Sequence, residues 1–285
     1  MKPASFEHIP VTSVDEALAA LDGGAGEAKV LAGGQSLVPM MNLRLALPAT
    51  LVDLNPVTGL DYVEETPDGI SIGAMTRQRT VERSEVVMRR VPLLSAALRH
   101  VGHFQIRNRG TVGGSIAHAD AAAELPAVLL ATGGSVTVVS AARGPRAILA
   151  ADLFRGHFET SIEPDELLTE VHVPAPANGA RWGFREFARR HGDYALAGVA
   201  VVTTGAGADI DEAAVSLFGV GTTPVRAAAA EREIVATGSP EAAATAVVDE
   251  IEPTGHIHGS GDYRRYLAGR LTRRAVAEAI GGSPA

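Results

Sequence analysis

Along this chain, stretches of helical period alternate with short apolar runs bounded by Gly, Pro or Asp. Ser13 and Glu16 stand at capping-box spacing ahead of the apolar run 17–21, which predicts a helix. Residues 28–32 read as a buried strand that stops at Gly33-Gly34, and 51–54 as another. A short helix is expected over 36–44. Strands at 61–65 and 70–73 flank Thr66-Pro67-Asp68-Gly69, a turn in which Pro presets φ and Gly tolerates φ > 0. Pro92 opens a helix to about Val101, and 124–131 is helical. Residues 135–139 and 167–173 are strands.

Pro and Gly cluster over 174–179 and break either period, which marks a linker. Beyond it, strand-like runs fall at 184–188, 196–203 and 215–220. Helices follow at about 225–237, 240–251 and 262–280. Strands mixed with helices before the linker, and strands then helices after it, predict α+β on both sides. The expected domains are 1–177 and 178–285.

Composition narrows the chemistry. Among 285 residues, 33 acidic against 25 basic side chains give a net charge of −8, which argues against a nucleic-acid-binding surface. There is no cysteine. Disulfides, thiolate nucleophiles, Cys-ligated zinc and protein-bound iron–sulfur clusters are therefore excluded within this chain. Lys2 and Lys29 are the only lysines, so 23 of the 25 basic residues are Arg, which reads as codon bias. No apolar run approaches the ~18 residues of a membrane span. Residues 1–8 lack the apolar core of a secretory signal. The expected location is cytoplasmic, at most peripheral at the inner face of a membrane.

Two of five Gly-Gly pairs share a context. Leu31-Ala32-Gly33-Gly34-Gln35-Ser36-Leu37 is an apolar strand running into Gly-Gly and then a hydroxyl residue. Thr111-Val112-Gly113-Gly114-Ser115 has the same grammar. Glycine lets a backbone come close to a ligand and take φ > 0, so that successive N–H groups can converge on an anion. Two such loops suit a pyrophosphate; a pair of tight turns is the plainer alternative.

These segments resemble the two FAD-pyrophosphate loops of the flavoprotein (medium) subunits of molybdenum hydroxylases, the xanthine dehydrogenase family. The likeness is clearest to the medium subunits of aerobic carbon monoxide dehydrogenases and of relatives acting on N-heterocycles or aldehydes. It extends through residues 37–55, 72–77, 106–131, 192–201 and 263–275. The resemblance implies an FAD-binding domain of the p-cresol methylhydroxylase (vanillyl-alcohol oxidase) type, followed by a smaller α+β domain with an antiparallel sheet and helices. It implies FAD on this chain, with molybdopterin on a large partner and [2Fe–2S] clusters on a small one, as a dimer of heterotrimers. The flavin would take electrons from the clusters and pass them to NAD, a quinone or oxygen. Carried over residue by residue, both glycine loops bind FAD. Val101 stands where relatives have an aromatic residue, and Glu124, with Asp120 as alternative, takes the place of an acidic ligand. Leu167 touches the flavin rings, Arg185 is a basic contact after the linker, and Tyr194 lies against the isoalloxazine. Ala121 departs from a frequent Pro.

Other readings of single residues stand beside this one. His256 and His258 form a possible metal pair or a solvated loop. His100 and His103 suit packing or capping. Asp120 and Glu124 could do acid–base work. The segment 219–224 imitates a dinucleotide fingerprint but ends in Pro224 and reads as a turn. Arg189-Arg190 is a solvated pair or faces a partner. A stand-alone flavin reductase of the enolpyruvyl-reductase kind would need a proton donor that no motif supplies. A flavin-free assembly scaffold is the rival from outside the enzymes.

Overall fold

The computed structural model describes residues 2–24, 26–205 and 209–281; Met1 and residues 282–285, the outer ends of the two expected domains, lie outside it. The chain opens with β1 (Glu7–Pro10), α1 (Val14–Gly23), β2 (Ala28–Leu31), α2 (Leu37–Asn42) and β3 (Thr50–Asp53). The three strands pair in parallel in the order β1-β3-β2. Parallel strands need crossovers, and α1 supplies one. Ser13 Oγ caps α1 by accepting from the Glu16 N–H at 3.2 Å. Glu16 reaches back to the Thr12 N–H at 2.7 Å, one residue before the N-cap N–H of Ser13 that a capping box would use. Ala17, Leu18 and Leu21 then pack in one cluster with Val52 and Leu54.

The second layer is a five-stranded antiparallel sheet, β4-β5-β10-β6-β7. Its elements run β4 (Val63–Thr66), β5 (Gly69–Gly73), α3 (Gln78–Glu82), α4 (Glu85–Arg90), α5 (Pro92–Leu98), α6 (Phe104–Arg109), α7 (Val112–His118), α8 (Glu124–Thr132), β6 (Ser135–Ser140), β7 (Gly144–Leu149), α9 (Ala150–Leu153), β8 (Phe154–Gly156), β9 (Glu159–Thr160) and β10 (Glu166–Pro174). Helix α8 is apolar all round after Glu124, which marks a helix buried on every side. It packs against α5 on one side and the C-terminal sheet on the other.

After the connection comes a four-stranded antiparallel sheet of β11 (Arg181–Phe187), β12 (Ala197–Thr204), β13 (Glu212–Phe218) and β14 (Val225–Arg226). Helices α10 (Ala228–Thr237), α11 (Pro240–Glu250) and α12 (Gly261–Gly281) cover one face. Arg264 of α12 is buried and donates to the carbonyls of Leu196 and Gly219. The other face carries Phe184, Ala200 and Phe218 into the same core as Leu125 and Leu129 of α8. Trp182, the chain's single tryptophan, stands on β11 opposite Val202 and packs half-buried against that core. No helix among the described residues is long and apolar enough to cross a membrane.

Most expected elements are present, with shifts at their ends. Five helices, α3, α4, α6, α7 and α9, were not expected. Each has four to seven residues, too short to display a period, and such helices depend on packing. Helix α5 ends at Leu98 instead of Val101, and Gly102 follows with φ +51°. Residues 225–226, expected as helix, pair with β13 before α10 begins.

Gly183 is where β11 meets α12: an added Cβ would lie 2.1 Å from the Ala275 carbonyl oxygen. Gly183→Ala should cost about 1–3 kcal/mol, the usual range for overpacking, in urea denaturation. Gly23→Ala, where a Cβ meets nothing within 4 Å, should be neutral or slightly stabilising.

Candidate functional site

One cavity, of about 660 Å³, is walled mainly by apolar groups, among them Trp182, Val202 and Val235. A second, of about 650 Å³, is lined by both glycine segments and by residues from either side of the linker. The second is the one furnished for a polar ligand.

The first glycine segment leaves β2 and enters α2. Gly34 has φ +72°. No group among the described residues accepts from the backbone N–H of Gly33, Gly34, Gln35, Ser36 or Leu37. Five successive free donors beside a cleft are chemically suited to a diphosphate. The segment is held from behind: Asn55 Nδ2 donates to the Ala32 carbonyl at 3.0 Å, and Arg77 donates to Asn55 Oδ1 at 2.9 Å and to the Arg109 carbonyl at 2.5 Å.

The second segment has a different role from the first, contrary to the shared grammar read from the sequence. Past Thr111 it is the first turn of α7. Its N–H groups are already used: Val112 donates to Thr76, Gly113 to Ala74, Gly114 to Thr111 Oγ1 and Ser115 to the Thr111 carbonyl. Glycine serves close packing here, since a Cβ on Gly113 would sit 2.6–2.7 Å from Ala74. Ala74 is in turn fixed by the carbonyl of Thr169, which lies at a bulge in β10. Thr111 and Ser115 supply hydroxyls to the cleft wall. The two segments touch through backbone: a Cβ on Gly33 would lie 2.3 Å from the Arg109 oxygen and 2.8 Å from the Gly110 Cα. Beside this contact Gln78 Oε1 is buried without a hydrogen-bond partner and lines the cleft, an acceptor left for a ligand.

Tyr194 comes from beyond the linker and is 67% exposed, with its hydroxyl facing that of Ser36 across the cleft. At that exposure Tyr194 is not part of the core. Asp120 Oδ1 accepts from the Ala122 N–H at 2.9 Å. Glu124 is buried at the start of α8, and burial followed by the Asp120 charge pushes its carboxyl up, with Arg107 opposing. Glu186 of β11 is also buried. Desolvation and the Glu124 charge push it up as well, and its Oε2 has only His100 Nδ1, 3.7 Å away, for company. Burial, then His191 and Arg185, keep the His100 ring toward its neutral form.

Residues 32–37, Val101, Thr111, Gly113, Gly114, Ser115, Asp120, Glu124, Leu167 and Tyr194 therefore border one cleft. Leu31 packs behind the loop near Gly34, and Val112 is buried in the central core. Arg185 lies furthest from the expectation: it is ion-paired with Glu278 of α12 and, like Leu31 and Val112, does not line the cleft. Alternation along β11 explains it, because Phe184 and Glu186 face the core and Arg185 the helix layer. His256 Nδ1 accepts from the His258 N–H in a turn, and His258 meets Arg189 at 2.8 Å. Sequence reasoning gave no role to Asn55 and Arg77, although each ends a segment of the resemblance, nor to Gln78 or to the exposed aromatic Phe158, which also lines the cleft.

Residues 4–176 match the family described as FAD binding domain in molybdopterin dehydrogenase, and residues 182–279 the CO dehydrogenase flavoprotein C-terminal domain. The chain is 42% identical to the 6-hydroxypseudooxynicotine dehydrogenase complex subunit alpha of Paenarthrobacter nicotinovorans, covering 98% of this chain and 96% of that one. It is 35% identical to the carbon monoxide dehydrogenase medium chain of Hydrogenophaga pseudoflava, covering 97% of each. Among solved structures, carbon monoxide dehydrogenase from Hydrogenophaga pseudoflava superposes with a TM-score of 0.95 at 36% identity over 99% of both chains. Quinoline 2-oxidoreductase from Pseudomonas putida 86 gives 0.93 at 36% identity, again over 99% of both.

Two outcomes are expected. Gly33→Ala should separate the glycine segments and lower flavin content about tenfold or more, with an unchanged circular dichroism spectrum; full flavin content would contradict the assignment. The carboxyl pair resists ionisation when folded and ionises freely when unfolded. Its contribution is complete below about pH 4.3 and is lost as pH rises. Glu186→Gln should therefore flatten the fall in melting temperature as pH rises above the ordinary carboxyl range, with its gain over wild type largest at the alkaline end.

Proposed function

The chain belongs to the FAD-binding medium subunits of molybdenum hydroxylase complexes, and from that premise we propose that it is the electron-transfer subunit of such a complex. The observation that carries this reading is the row of five unpaired N–H groups from Gly33 to Leu37, beside a cleft bordered from beyond the linker by Tyr194. These donors would hold the pyrophosphate of FAD, with the Thr111 and Ser115 hydroxyls adding to them. Val101, Leu167 and Tyr194 would flank its rings, and Glu124 or Asp120 would take its hydroxyls. Arg185 is left out of this set because Glu278 engages it.

Bound FAD supplies a redox centre that exchanges electrons with carriers on either side. The chain's own part is to orient the cofactor and keep water from it. It has no cysteine, so iron–sulfur clusters would sit on a partner, and molybdopterin on another, in a dimer of heterotrimers. Relatives named for a nicotine derivative, carbon monoxide and quinoline share nearly the whole chain. That sharing supports a substrate pocket outside this subunit. A cytoplasmic setting and a division into residues 1–177 and 178–285 complete the reading.

The test is purification through a tag on this chain, followed by identification of co-purifying chains and assay for FAD, molybdenum and iron. Two partners carrying molybdenum and iron are expected, with turnover only in the assembled complex. Turnover by the isolated chain, or a complex without flavin, would refute the proposal.

A further inference from the structure

The wall of the cleft formed by the β8–β9 hairpin carries an unusual aromatic arrangement. Phe158 lies in the turn between β8 and β9 and has φ +59°. That region is uncommon for any residue with a Cβ, and a bulky one there is an outlier. Ala119, which ends α7, is also left-handed, with φ +52°. The two irregular residues are joined, because the Phe158 N–H donates to the Ala119 carbonyl at 3.3 Å. This contact brings the Phe158 ring over His118, with centroids 4.8 Å apart and planes 24° apart. The His157 ring lies 4.0 Å from Phe158 on a tilted plane.

The stack is not simply core. Phe158 is 42% exposed, and both Phe158 and His118 line the cleft that the glycine segments border. Burial, followed by His157, favours the neutral form of His118, against the pull of Asp120. A neutral imidazole under a phenyl ring presents a flat, uncharged surface. Leaving such a surface open to water on unfavourable backbone is costly unless a ligand covers it.

We propose that the Phe158–His118 stack is a platform for a planar heteroaromatic ring of the dinucleotide held by the first glycine segment, and that the left-handed backbone at Phe158 exists to aim it. This rests on the FAD reading above. The shared chemistry is ring stacking, and either the isoalloxazine or the adenine could supply the ring.

The experiment uses the complex purified through this chain, freed of flavin and titrated with FAD. Phe158→Ala and Phe158→Gly should both weaken FAD binding about tenfold, the scale of one base–aromatic stack. Phe158→Tyr should bind within a few-fold of wild type. The melting temperature of the flavin-free Phe158→Gly complex should equal or exceed that of wild type, since glycine accepts this φ without strain. A residue needed only for structure would instead lower it. If the platform holds the isoalloxazine, Phe158→Ala alters the visible absorption band of the bound flavin and leaves ADP competition unchanged. If it holds adenine, ADP competes more weakly and the band is unmoved. FAD affinity equal to wild type in both the Ala and Gly variants would overturn the platform alone. A wild-type complex that binds no FAD would remove the FAD reading and the platform with it.

Discussion

The site depends on a place where two backbones touch without side chains between them. Gly33 lies against Arg109 and Gly110 so closely that one methyl group would enter the carbonyl oxygen. That contact brings the loop after a parallel strand to the start of a helix in the antiparallel layer. Arg77 spans the junction, bonding Asn55 on one side and the Arg109 carbonyl on the other. The same joint frees the five N–H groups of the first segment, because the chain there turns away from β3 before it could extend the ladder. A cavity of roughly dinucleotide size follows from this geometry.

The arrangement also explains why similar glycine pairs do different work. At 33–34 glycine exposes donors; at 113 it removes bulk so that α7 can lie on Ala74, and at 114 it leaves room for the Thr111 hydroxyl. The sequence shows the two as equals, because Gly-Gly followed by a hydroxyl residue has the same local grammar in both. The difference comes from the partner strand. The bulge at Thr169 turns a carbonyl toward Ala74, and Ala74 then claims the N–H of Gly113. No one-dimensional pattern carries that information.

Legibility elsewhere follows the same rule. Helix α1 was readable because its cap and apolar stripe are local, and β12 because an unbroken apolar run has few other uses. Residues gathered by resemblance lie mostly around one cleft, since their spacing is fixed by the elements that carry them. Arg185 fell outside because strand alternation turns it toward Glu278, a residue on a distant helix. Asn55, Gln78 and Phe158 were invisible for a complementary reason. Each acts through a tertiary neighbour and belongs to no periodic stretch. The Glu124–Glu186 pair was half-visible: the first carboxylate stood in a motif, but its buried opposite lies across the linker on β11.

The single tryptophan has a consequence for observation in solution. Trp182 sits where β11 leans on the central core, beside the apolar cavity and away from the cleft bordered by Tyr194. Its emission wavelength is therefore a local gauge of how the C-terminal sheet seats on the rest of the chain. A red shift that precedes loss of helical signal during denaturation would mark that seam as the first to open. A coincident change would mark the two layers as one cooperative unit.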